Sequence, residues 1–508
     1  MAMDTKQSLG DRHLSGLQHG VPVNKCLPGT PKAILPLLLS MFLLPAAHAV
    51  EQTKDFIPYA GLSFDYTTNL NQDDSNTAAL VSGITAGARA SMKGGKTDLD
   101  LNYSATQYFY SDNQRADKFN QTLAFNANRA LNKRGLSMNA SASIRNEAIA
   151  SNQNAAADVI SGGTFESRAA SLGLAYRTNP RSYMNLNARI DGSIGDNEGS
   201  VGDYRRINAN VNFRDGTKTK LLFWSGSYNG ERTFGDENNG TTTSQYFQSV
   251  IGTQTQPLRP LVRFYYENYD DTDATTTTEG ASIGPGLRYY FSYRTWAEFA
   301  YNFSLTEDEE NYWSTRINWQ PSTKTRLTAS YEKRIFGDSY GLSYSHQSHR
   351  TTTSVSYIET VSSFDDEFVF NGEINQRLTV ERRLNWETRL QQRRTEWQLS
   401  LSGSDLEPVT KTIFSVETRR IGAGIGVSHQ LSNLIEGSAK VNFDRYEFSS
   451  PLFATQKDDY YKAEVDLSKR FNDRATGRVG LRYLTRVAGS SSREFDEFRF
   501  LLNGRIEF

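Results

Sequence analysis

Cysteine is almost absent from this 508-residue chain, and the only one, Cys26, precedes a short apolar run. A single cysteine forms no intrachain disulfide, and the chain has no Cys-x-x-Cys-His motif for haem attachment. The sequence therefore predicts neither a disulfide framework nor a covalently held cofactor.

Long hydrophobic runs are also scarce, because only 37% of the residues are apolar and the mean hydropathy is −0.59. The one conspicuous run, residues 33–47, follows Lys25 and Lys32 and leads into Ala47-His48-Ala49. A membrane anchor is the alternative reading, but the run is shorter than the ~20 residues that a helical span requires. Its flanks match a signal peptide with small residues at the cleavage site. We predict a cleaved signal peptide over residues 1–49, ending next to Ala47 and Ala49, and export of residues 50–508.

No charge of one sign dominates, since 56 Lys and Arg face 57 Asp and Glu. A protein that binds nucleic acid carries a basic patch or stripe, and none is visible here. The sequence therefore predicts no nucleic-acid partner.

What the chain does have, from residue 56 to its end, is an apolar side chain at every second position. Leu99, Leu101 and Tyr103 alternate with Asp98, Asp100 and Asn102, and similar alternation recurs in segments near residues 138–145, 206–214, 313–320 and 461–468. A period of two indicates β-strands with two different faces. A soluble sandwich and a membrane barrel both show this pattern, so the pattern alone does not choose between them.

The connections between these strands favour the barrel, because long and tight links take turns along the chain. The long links are residues 69–79, 111–118, 148–165, 195–203, 233–243, 270–280, 361–383, 405–417, 448–459 and 488–496. The tight links are residues 94–96, 132–135, 178–181, 215–218, 292–294, 431–433 and 472–473. Outer-membrane barrels have short periplasmic turns and longer extracellular loops. We predict one all-β domain over residues 50–508, a transmembrane antiparallel up-and-down barrel of about 24 strands (range 22–26) in the bacterial outer membrane.

Charged residues are divided in the same way between the two ends of the predicted barrel. Tight turns carry Lys96, Lys133 and Arg134, whereas the run from Glu307 to Glu310 lies in a link between strands. The acidic links face outward in this topology, where they meet divalent ions between lipopolysaccharide head groups or are simply solvated. Outer-membrane lipid and lipopolysaccharide are therefore expected partners.

Proline provides one local test, because its ring nitrogen cannot donate to a strand ladder. Pro285, in Gly284-Pro285-Gly286, falls inside a predicted strand. We expect a bulge or a distorted strand at that point.

The chain ends on "FRFLLNGRIEF", which alternates like the other strands and finishes on a carboxy-terminal Phe. A closing strand must pair with the first strand and present apolar residues to lipid. Its outward residues, with the terminal Phe, resemble the signal read by the outer-membrane barrel assembly machinery. The residues of this predicted assembly signal are Phe500, Leu502, Ile506 and Phe508.

The predicted inner face mixes both signs of charge with many Asn, Ser and Thr residues. Its basic members are Arg89, Arg145, Arg189, Arg206, Arg316, Arg389, Arg478, Arg482 and Arg499, and its acidic members are Asp98, Asp100, Asp191, Glu387, Glu436, Asp444, Glu464 and Asp466. This composition indicates a hydrated lining whose charges are held in pairs. It suits a polysaccharide, although every wide barrel needs a polar interior. Outward aromatics, namely Tyr103, Phe109, Trp313 and Trp319, are expected in the interfacial girdles rather than in a sugar-binding path.

Candidates for catalysis or metal binding are few. His346 and His349 form a His-x-x-His pair near a predicted periplasmic turn, and His429 lies near another, but no cysteine or nearby carboxylate completes a ligand set. Ser and Thr are too abundant to single out a nucleophile, and no Gly-x-Ser-x-Gly elbow stands out. We therefore predict no metal site, no cofactor, no catalytic residue and no enzymatic activity, and the substrate-binding residues stay open.

Two stretches resemble a known barrel family. Residues 334–363, "RIFGDSYGLSYSHQSHRTTTSVSYIETVSS", and residues 380–403, "VERRLNWETRLQQRRTEWQLSLSG", are similar to the signature region and following hairpin of the PEP-CTERM system-associated outer-membrane proteins. The matching features are the Phe336-Gly337 turn, the segment from Ser343 to His346, the corner from Arg350 to Thr352, and Tyr357. The resemblance implies a barrel linked with exopolysaccharide loci and carries over no catalytic or ligand residue.

A circular barrel of about 24 strands is on the order of 45 to 50 Å across, so something must occupy its lumen. An inward-folded link, a partner protein or a transported chain would serve, and residues 361–383 form the longest link, which can equally lie at the surface. The first hypothesis is a porin-like channel that belongs to exopolysaccharide export, with polysaccharide or a periplasmic export partner. The alternative is a structural sheath around a partner such as a multihaem cytochrome, and a barrel enzyme is a third.

Overall fold

The fold was analysed in a computed structural model that describes residues 53–112, 115–148, 160–161, 164–178, 181–197, 203–235, 241–271, 278–306, 310–362, 378–409, 416–451, 453–489 and 493–508. Within these ranges no helix is long and apolar enough to cross a membrane. The predicted signal peptide, with Ala47 and Ala49, lies outside the described residues.

The described residues form one antiparallel sheet of 24 strands, the number that the alternating segments predict. The first twelve are β1 (Thr53–Thr67), β2 (Ala79–Lys93), β3 (Thr97–Tyr110), β4 (Lys118–Ala130), β5 (Leu136–Ala148), β6 (Thr164–Arg177), β7 (Met184–Asn197), β8 (Tyr204–Asp215), β9 (Leu222–Gly235), β10 (Thr241–Thr253), β11 (Leu258–Asp271) and β12 (Thr278–Tyr290). The others are β13 (Trp296–Ser304), β14 (Tyr312–Trp319), β15 (Thr325–Arg334), β16 (Gly337–Gln347), β17 (Thr351–Ser362), β18 (Thr379–Gln391), β19 (Thr395–Pro408), β20 (Glu417–Gln430), β21 (Ile435–Ser450), β22 (Phe453–Arg470), β23 (Ala475–Ala488) and β24 (Phe495–Glu507).

Each strand pairs with the next along the chain, and the last pairs with the first. Residues 59–67 of β1 lie opposite residues 507–499 of β24, with Phe64 facing Leu502 and Ser63 facing Asn503. The amide of Phe508 donates to the carbonyl of Pro58 at 2.9 Å beyond the end of this ladder. Pairing of the terminal strands closes the sheet into a barrel, so none of the 24 described strands forms a free edge.

The barrel wall has the two faces that the alternation predicts, with apolar residues outward and polar residues inward. On β24 the outward residues Phe500, Leu502 and Ile506 are exposed, whereas Glu497 and Arg499 on the inward row are buried. The outward row continues around the barrel as exposed Leu, Ile, Val and aromatic side chains. An apolar outer surface on a closed sheet is the surface of an outer-membrane barrel, with short periplasmic turns and longer extracellular links.

The link between β21 and β22 corrects one prediction. Residues 448–459 were expected to form a long loop, but both strands continue through this stretch and only residues 451 and 452 connect them. The register shifts between Phe448 and Ser450. Arg445 forms an ion pair with Asp459 across the two strands at 2.6 Å. Beyond the apolar belt, the outward residues of this hairpin are charged pairs rather than apolar side chains. Such a polar stretch has the composition of a loop, so the sequence predicted a loop here.

Strand β12 forms a sharp corner in the wall. Its ladder with β13 lacks pairs at Gly284 and Pro285, yet Ile283 faces Phe303 and Gly286 faces Ala300 in one unshifted register. The strand is therefore distorted, as predicted, but it contains no bulge. Proline supplies no donor, so the ladder is interrupted where the wall bends.

Glycine at the inward positions of β12 makes this corner possible. A Cβ on Gly284 would lie 2.3 Å from the carbonyl oxygen of Tyr301, and one on Gly286 would lie 2.8 Å from the Cβ of Ala300. Without side chains at these positions, β11 and β13 approach each other across β12. The corner brings the inward faces of β10 and β11 opposite those of β14 and β15.

Candidate functional site: the polar lumen

The inward face of β3 to β9 is rich in amides and hydroxyls, which we call the amide-hydroxyl wall, and the charges among them include the pairs Arg189–Asp191 and Arg206–Glu231. Residues that face each other on neighbouring strands often carry the same polar group: Asn128 faces Asn139, and Asn210 faces Asn229. The hydroxyls of Ser141 and Ser171 lie 2.7 Å apart. The wall comprises Asn102, Ser104, Thr106, Asn126, Asn128, Asn139, Ser141, Ser171, Asn187, Asn208, Asn210, Asn212, Ser227 and Asn229. Such groups both donate and accept hydrogen bonds, so the wall can exchange water for sugar hydroxyls.

A recess of about 570 Å³ lies at the periplasmic end of this wall. Strand pairing places Asn187 opposite both Arg177 and Asn212, and Asn185 opposite Arg214. We call this cavity the arginine-asparagine recess; it is lined by Arg177, Asn185, Asn187, Asn212, Phe213, Arg214, Ser225 and Gly226.

The corner formed by β10 to β15 differs from the amide-hydroxyl wall, because its inward face holds a buried network of charges. Glu267 of β11 is fully buried, and Arg334 of β15 donates to its carboxylate through Nε at 3.2 Å and also through Nη2. The hydroxyls of Tyr265 and Tyr269 donate to the same carboxylate. Three donor side chains therefore satisfy one buried anion, an arrangement that low dielectric makes costly to break.

A second part of this corner network lies closer to the periplasm. Arg263 of β11 contacts Glu332 of β15 at 3.1 Å and donates to the hydroxyl of Ser314 on β14. Arg288 binds the buried Glu298 at 2.6 Å. The contacts of Arg263 join strands that are not neighbours in the sheet, so polar side chains fill the lumen inside the corner.

At the closing seam, links between strands fold inward over the lumen. Leu70, in the link between β1 and β2, is completely buried and packs with Val81 and Ile160. Nη1 of Arg115 donates to the carbonyl of Ile160 at 2.7 Å, and Arg499 of β24 donates to the hydroxyl of Ser161.

Residues 160 and 161 belong to the link between β5 and β6, whereas β24 lies beyond β4, β3, β2 and β1 around the wall. Residues 160 and 161 of this link thus lie inside the lumen; an inward-folded link is the first of the lumen occupants considered from the sequence. Residues 363–377, most of the longest predicted link, lie outside the described residues.

A third buried group lies beside the seam. Asp458 is fully buried and binds Arg486 at 3.0 Å and Arg493 at 3.1 Å. An apolar cluster packs in the same part of the lumen and comprises Tyr446, Phe448, Tyr460, Leu484 and Phe495. The extracellular half of the lumen near the seam is therefore packed.

Most of the charges predicted for the inner face are paired, as the mixed composition indicates. The pairs are Arg89 with Glu507, Arg189 with Asp191, Arg206 with Glu231, Arg389 with Glu387, Arg478 with Asp466, Arg482 and Arg499 with Glu497, Arg420 with Asp444, and Lys462 with Glu464. The predicted pairing of the lining charges is thus confirmed. Sequence reasoning missed Glu267 and Arg334, which are 67 residues apart and meet only because the wall bends.

The remaining predicted residues have simple positions. Nδ1 of His346 lies 2.8 Å from Oγ1 of Thr325, and Nδ1 of His429 lies 2.8 Å from Oγ1 of Thr395, each across a strand pair. Among the residues that the structure describes, no group of three or more metal-ligating side chains comes together. Trp313, Trp319 and Phe109 are exposed on the outward face, where the predicted girdles require them.

The predicted assembly residues are also outward. Phe500, Leu502, Ile506 and Phe508 form an exposed apolar row along β24 and its end. Their geometry is that of a lipid-facing strand, and their role in assembly stays a prediction.

No family model and no curated protein sequence matches the chain. Among solved structures, the chain is similar to the FrpB iron transporter from Neisseria meningitidis (F3-3 variant), with 8% identity, a TM-score of 0.49, and coverage of 89% of this chain and 82% of that one. The ferric-catecholate import receptor Fiu from E. coli K12 is 9% identical over 89% and 82% of the two chains, with a TM-score of 0.45. The siderophore receptor PirA from Acinetobacter baumannii is 9% identical over 91% and 81%, with a TM-score of 0.44. At this level of similarity the matches assign no ligand or activity to this chain.

Proposed function

We propose that this outer-membrane barrel conducts a hydrated polysaccharide and is a component of exopolysaccharide export. The observation that carries the proposal is the amide-hydroxyl wall, which spans seven neighbouring strands from β3 to β9. Amides and hydroxyls can replace water around sugar hydroxyls without holding them as tightly as charges do, and conduction requires binding that is weak and repeated.

The distribution of charge supports the same proposal. Buried carboxylates in the lumen are neutralised by neighbouring arginines, as in the Glu267–Arg334 and Asp458–Arg486 pairs. Such paired charges leave no single sign to select a small ion along the packed parts of the wall. The resemblance of residues 334–363 and 380–403 to a barrel family linked with exopolysaccharide loci points in the same direction.

The direct test is deletion of the gene followed by measurement of surface and secreted polysaccharide. We expect the deletion strain to lose secreted polysaccharide and to accumulate polymer in the periplasm, and wild-type complementation to restore secretion. Unchanged secretion would reject export. Copurification of a haem-containing partner would instead favour the sheath hypothesis.

A further inference from the structure

We propose that the arginine-asparagine recess is a binding site for a carboxylate-bearing sugar unit, so that the barrel selects an acidic polysaccharide at its periplasmic entrance. This inference rests on the proposed function and specifies its substrate class. The cavity of about 570 Å³ falls within the ~300–1,000 Å³ range of small-ligand sites.

The charge of the recess is the first argument. Within the described part of the chain, neither Arg177 nor Arg214 forms an ion pair with a carboxylate, whereas most other lumen arginines do. In the orientation that satisfies the Asn185 amide, its oxygen accepts from Nε and Nη2 of Arg214 at 3.2 Å each. Asn185 thus positions Arg214 without neutralising it. An unneutralised guanidinium attracts anions and binds carboxylates through two parallel hydrogen bonds.

A second recess in the same barrel provides a contrast. It has a volume of about 470 Å³, lies on the lumen side of the closing seam, and contains Arg478 and Arg505. There Arg478 binds Asp466 at 2.8 Å and Arg505 binds Glu507 at 3.0 Å. Two cavities of similar size therefore differ in whether their arginines are already occupied, and only the recess between β6 and β9 offers them to an anion.

The position and the remaining lining supply the other arguments. Arg177 and Arg214 lie at the ends of β6 and β8, and the next turns pack together, since the amide of Gly216 donates to the carbonyl of Tyr183 at 2.7 Å. Lys218 of this turn pair lies over the Tyr183 ring at 5.5 Å. Cations thus line the entrance as well as the recess and raise the local concentration of an anionic chain. Asn187 and Asn212 add amides that can bind sugar hydroxyls beside the carboxylate.

The test uses the full barrel reconstituted in planar lipid bilayers, with oligogalacturonate or a malto-oligosaccharide of equal length added on the side of the periplasmic turns. The measured quantity is the concentration that blocks half of the current. We expect the acidic oligomer to block the wild-type barrel at a concentration at least about tenfold lower than the neutral one, because charge-assisted hydrogen bonds are roughly twice as strong as neutral ones.

The variant Arg177→Gln/Arg214→Gln should lose this preference, so that the acidic oligomer no longer blocks at a lower concentration than the neutral one. The matched control is Arg205→Gln/Arg232→Gln, which removes the same charge from the outward rows of β8 and β9. It should keep the preference. Retention of the wild-type preference by Arg177→Gln/Arg214→Gln would overturn the site.

Different results would reject the recess alone or polysaccharide conduction as well. Block by the neutral oligomer without any acidic preference in the wild-type barrel would reject the recess and leave polysaccharide conduction standing. No block by either oligomer would reject both.

Discussion

At the scale of single residues, the stability of the barrel depends on how its buried charges are neutralised. Glu267 has no exposed surface, and its carboxylate is held by Arg334, Tyr265 and Tyr269. Removing one partner of a buried ion pair leaves an uncompensated charge, which costs about 3–5 kcal/mol. Exposed ion pairs contribute only ~0–1 kcal/mol.

We therefore predict that Arg334→Met lowers the free energy of unfolding by about 3–5 kcal/mol. The measurement is a urea titration in lipid vesicles, with folding followed by the gel mobility of unheated samples. Arg189→Met is the matched control, because Arg189 is half exposed in its pair with Asp191; it should change stability by at most about 1 kcal/mol. The double variant Arg334→Met/Glu267→Met should recover most of the loss, and a double variant as unstable as Arg334→Met would contradict this account.

The sequence predicted that inward charges are paired but not which charges pair. Arg189 and Asp191 are two positions apart on one strand, so their pair follows from the period of two. Glu267 and Arg334 are far apart in sequence and meet across non-neighbouring strands, so their pair depends on the curvature of the wall. Local alternation carries no information about curvature.

At the scale of single elements, the corner at β12 depends on inward positions without side chains. A Cβ at Gly284 would be 2.3 Å from a backbone oxygen, which a rotamer change cannot relieve. We predict that Gly284→Ala lowers the free energy of unfolding by about 1–3 kcal/mol, the usual cost of overpacking. Circular dichroism during thermal unfolding in detergent would measure the difference.

Gly192→Ala is the control for that prediction, because a Cβ at Gly192 meets nothing within 4 Å. It should leave stability unchanged or raise it slightly through a smaller entropy of the unfolded chain. Equal stability of Gly284→Ala and Gly192→Ala would mean that the corner does not require a position without a side chain at Gly284. The sequence predicted a bulge or a distorted strand at Pro285, and the strand is distorted in an unshifted register.

The inward link at the seam is a second element with a testable role. Arg115 donates to the carbonyls of Ile160 and Ser161 and to the side chain of Asn71, so it joins three links above the lumen. We predict that Arg115→Ala weakens this cover and raises the single-channel conductance in planar bilayers. Arg205→Ala, on the outward row of β8, should not change the conductance. A conductance of Arg115→Ala equal to wild type would indicate that the link does not restrict the pore.

The closing strand is the third element. Phe508 is 64% exposed, and its backbone amide makes one hydrogen bond to Pro58. We predict that deletion of Phe508 reduces insertion into the outer membrane of cells but leaves refolding of the purified chain into lipid vesicles nearly unchanged. A loss in cells without a loss in vesicles would identify Phe508 as part of an assembly signal rather than as a structural contact. Equal losses in cells and in vesicles would assign the residue a purely structural role.

At the scale of the whole molecule, the number of strands, their antiparallel order and the closure between the first and last strands followed from the sequence. They followed because hydrophobic periodicity, turn length and strand length all depend on the same two environments, lipid outside and water inside. The extent of β21 and β22 did not follow. Charged outward pairs such as Arg445 with Asp459 extend strands beyond the apolar belt, where alternation no longer distinguishes a strand from a loop.

In an outer-membrane barrel with a polar lumen, alternate side chains of each strand face hydrocarbon and the others face water enclosed by the wall. Single cysteines placed in a Cys26→Ser background at successive positions of the seam strands, from Leu62 to Tyr66 and from Leu501 to Ile506, test this directly. In lipid vesicles, a water-soluble thiol reagent should label the positions of Ser63, Leu501, Asn503 and Arg505, whereas Asp65 is inward but buried under the packed seam. The positions of Leu62, Phe64, Tyr66, Leu502 and Ile506 should be protected from it and accessible to a lipid-soluble quencher. Labelling without a period of two, or equal labelling of both rows, would contradict the barrel and every proposal built on its lumen.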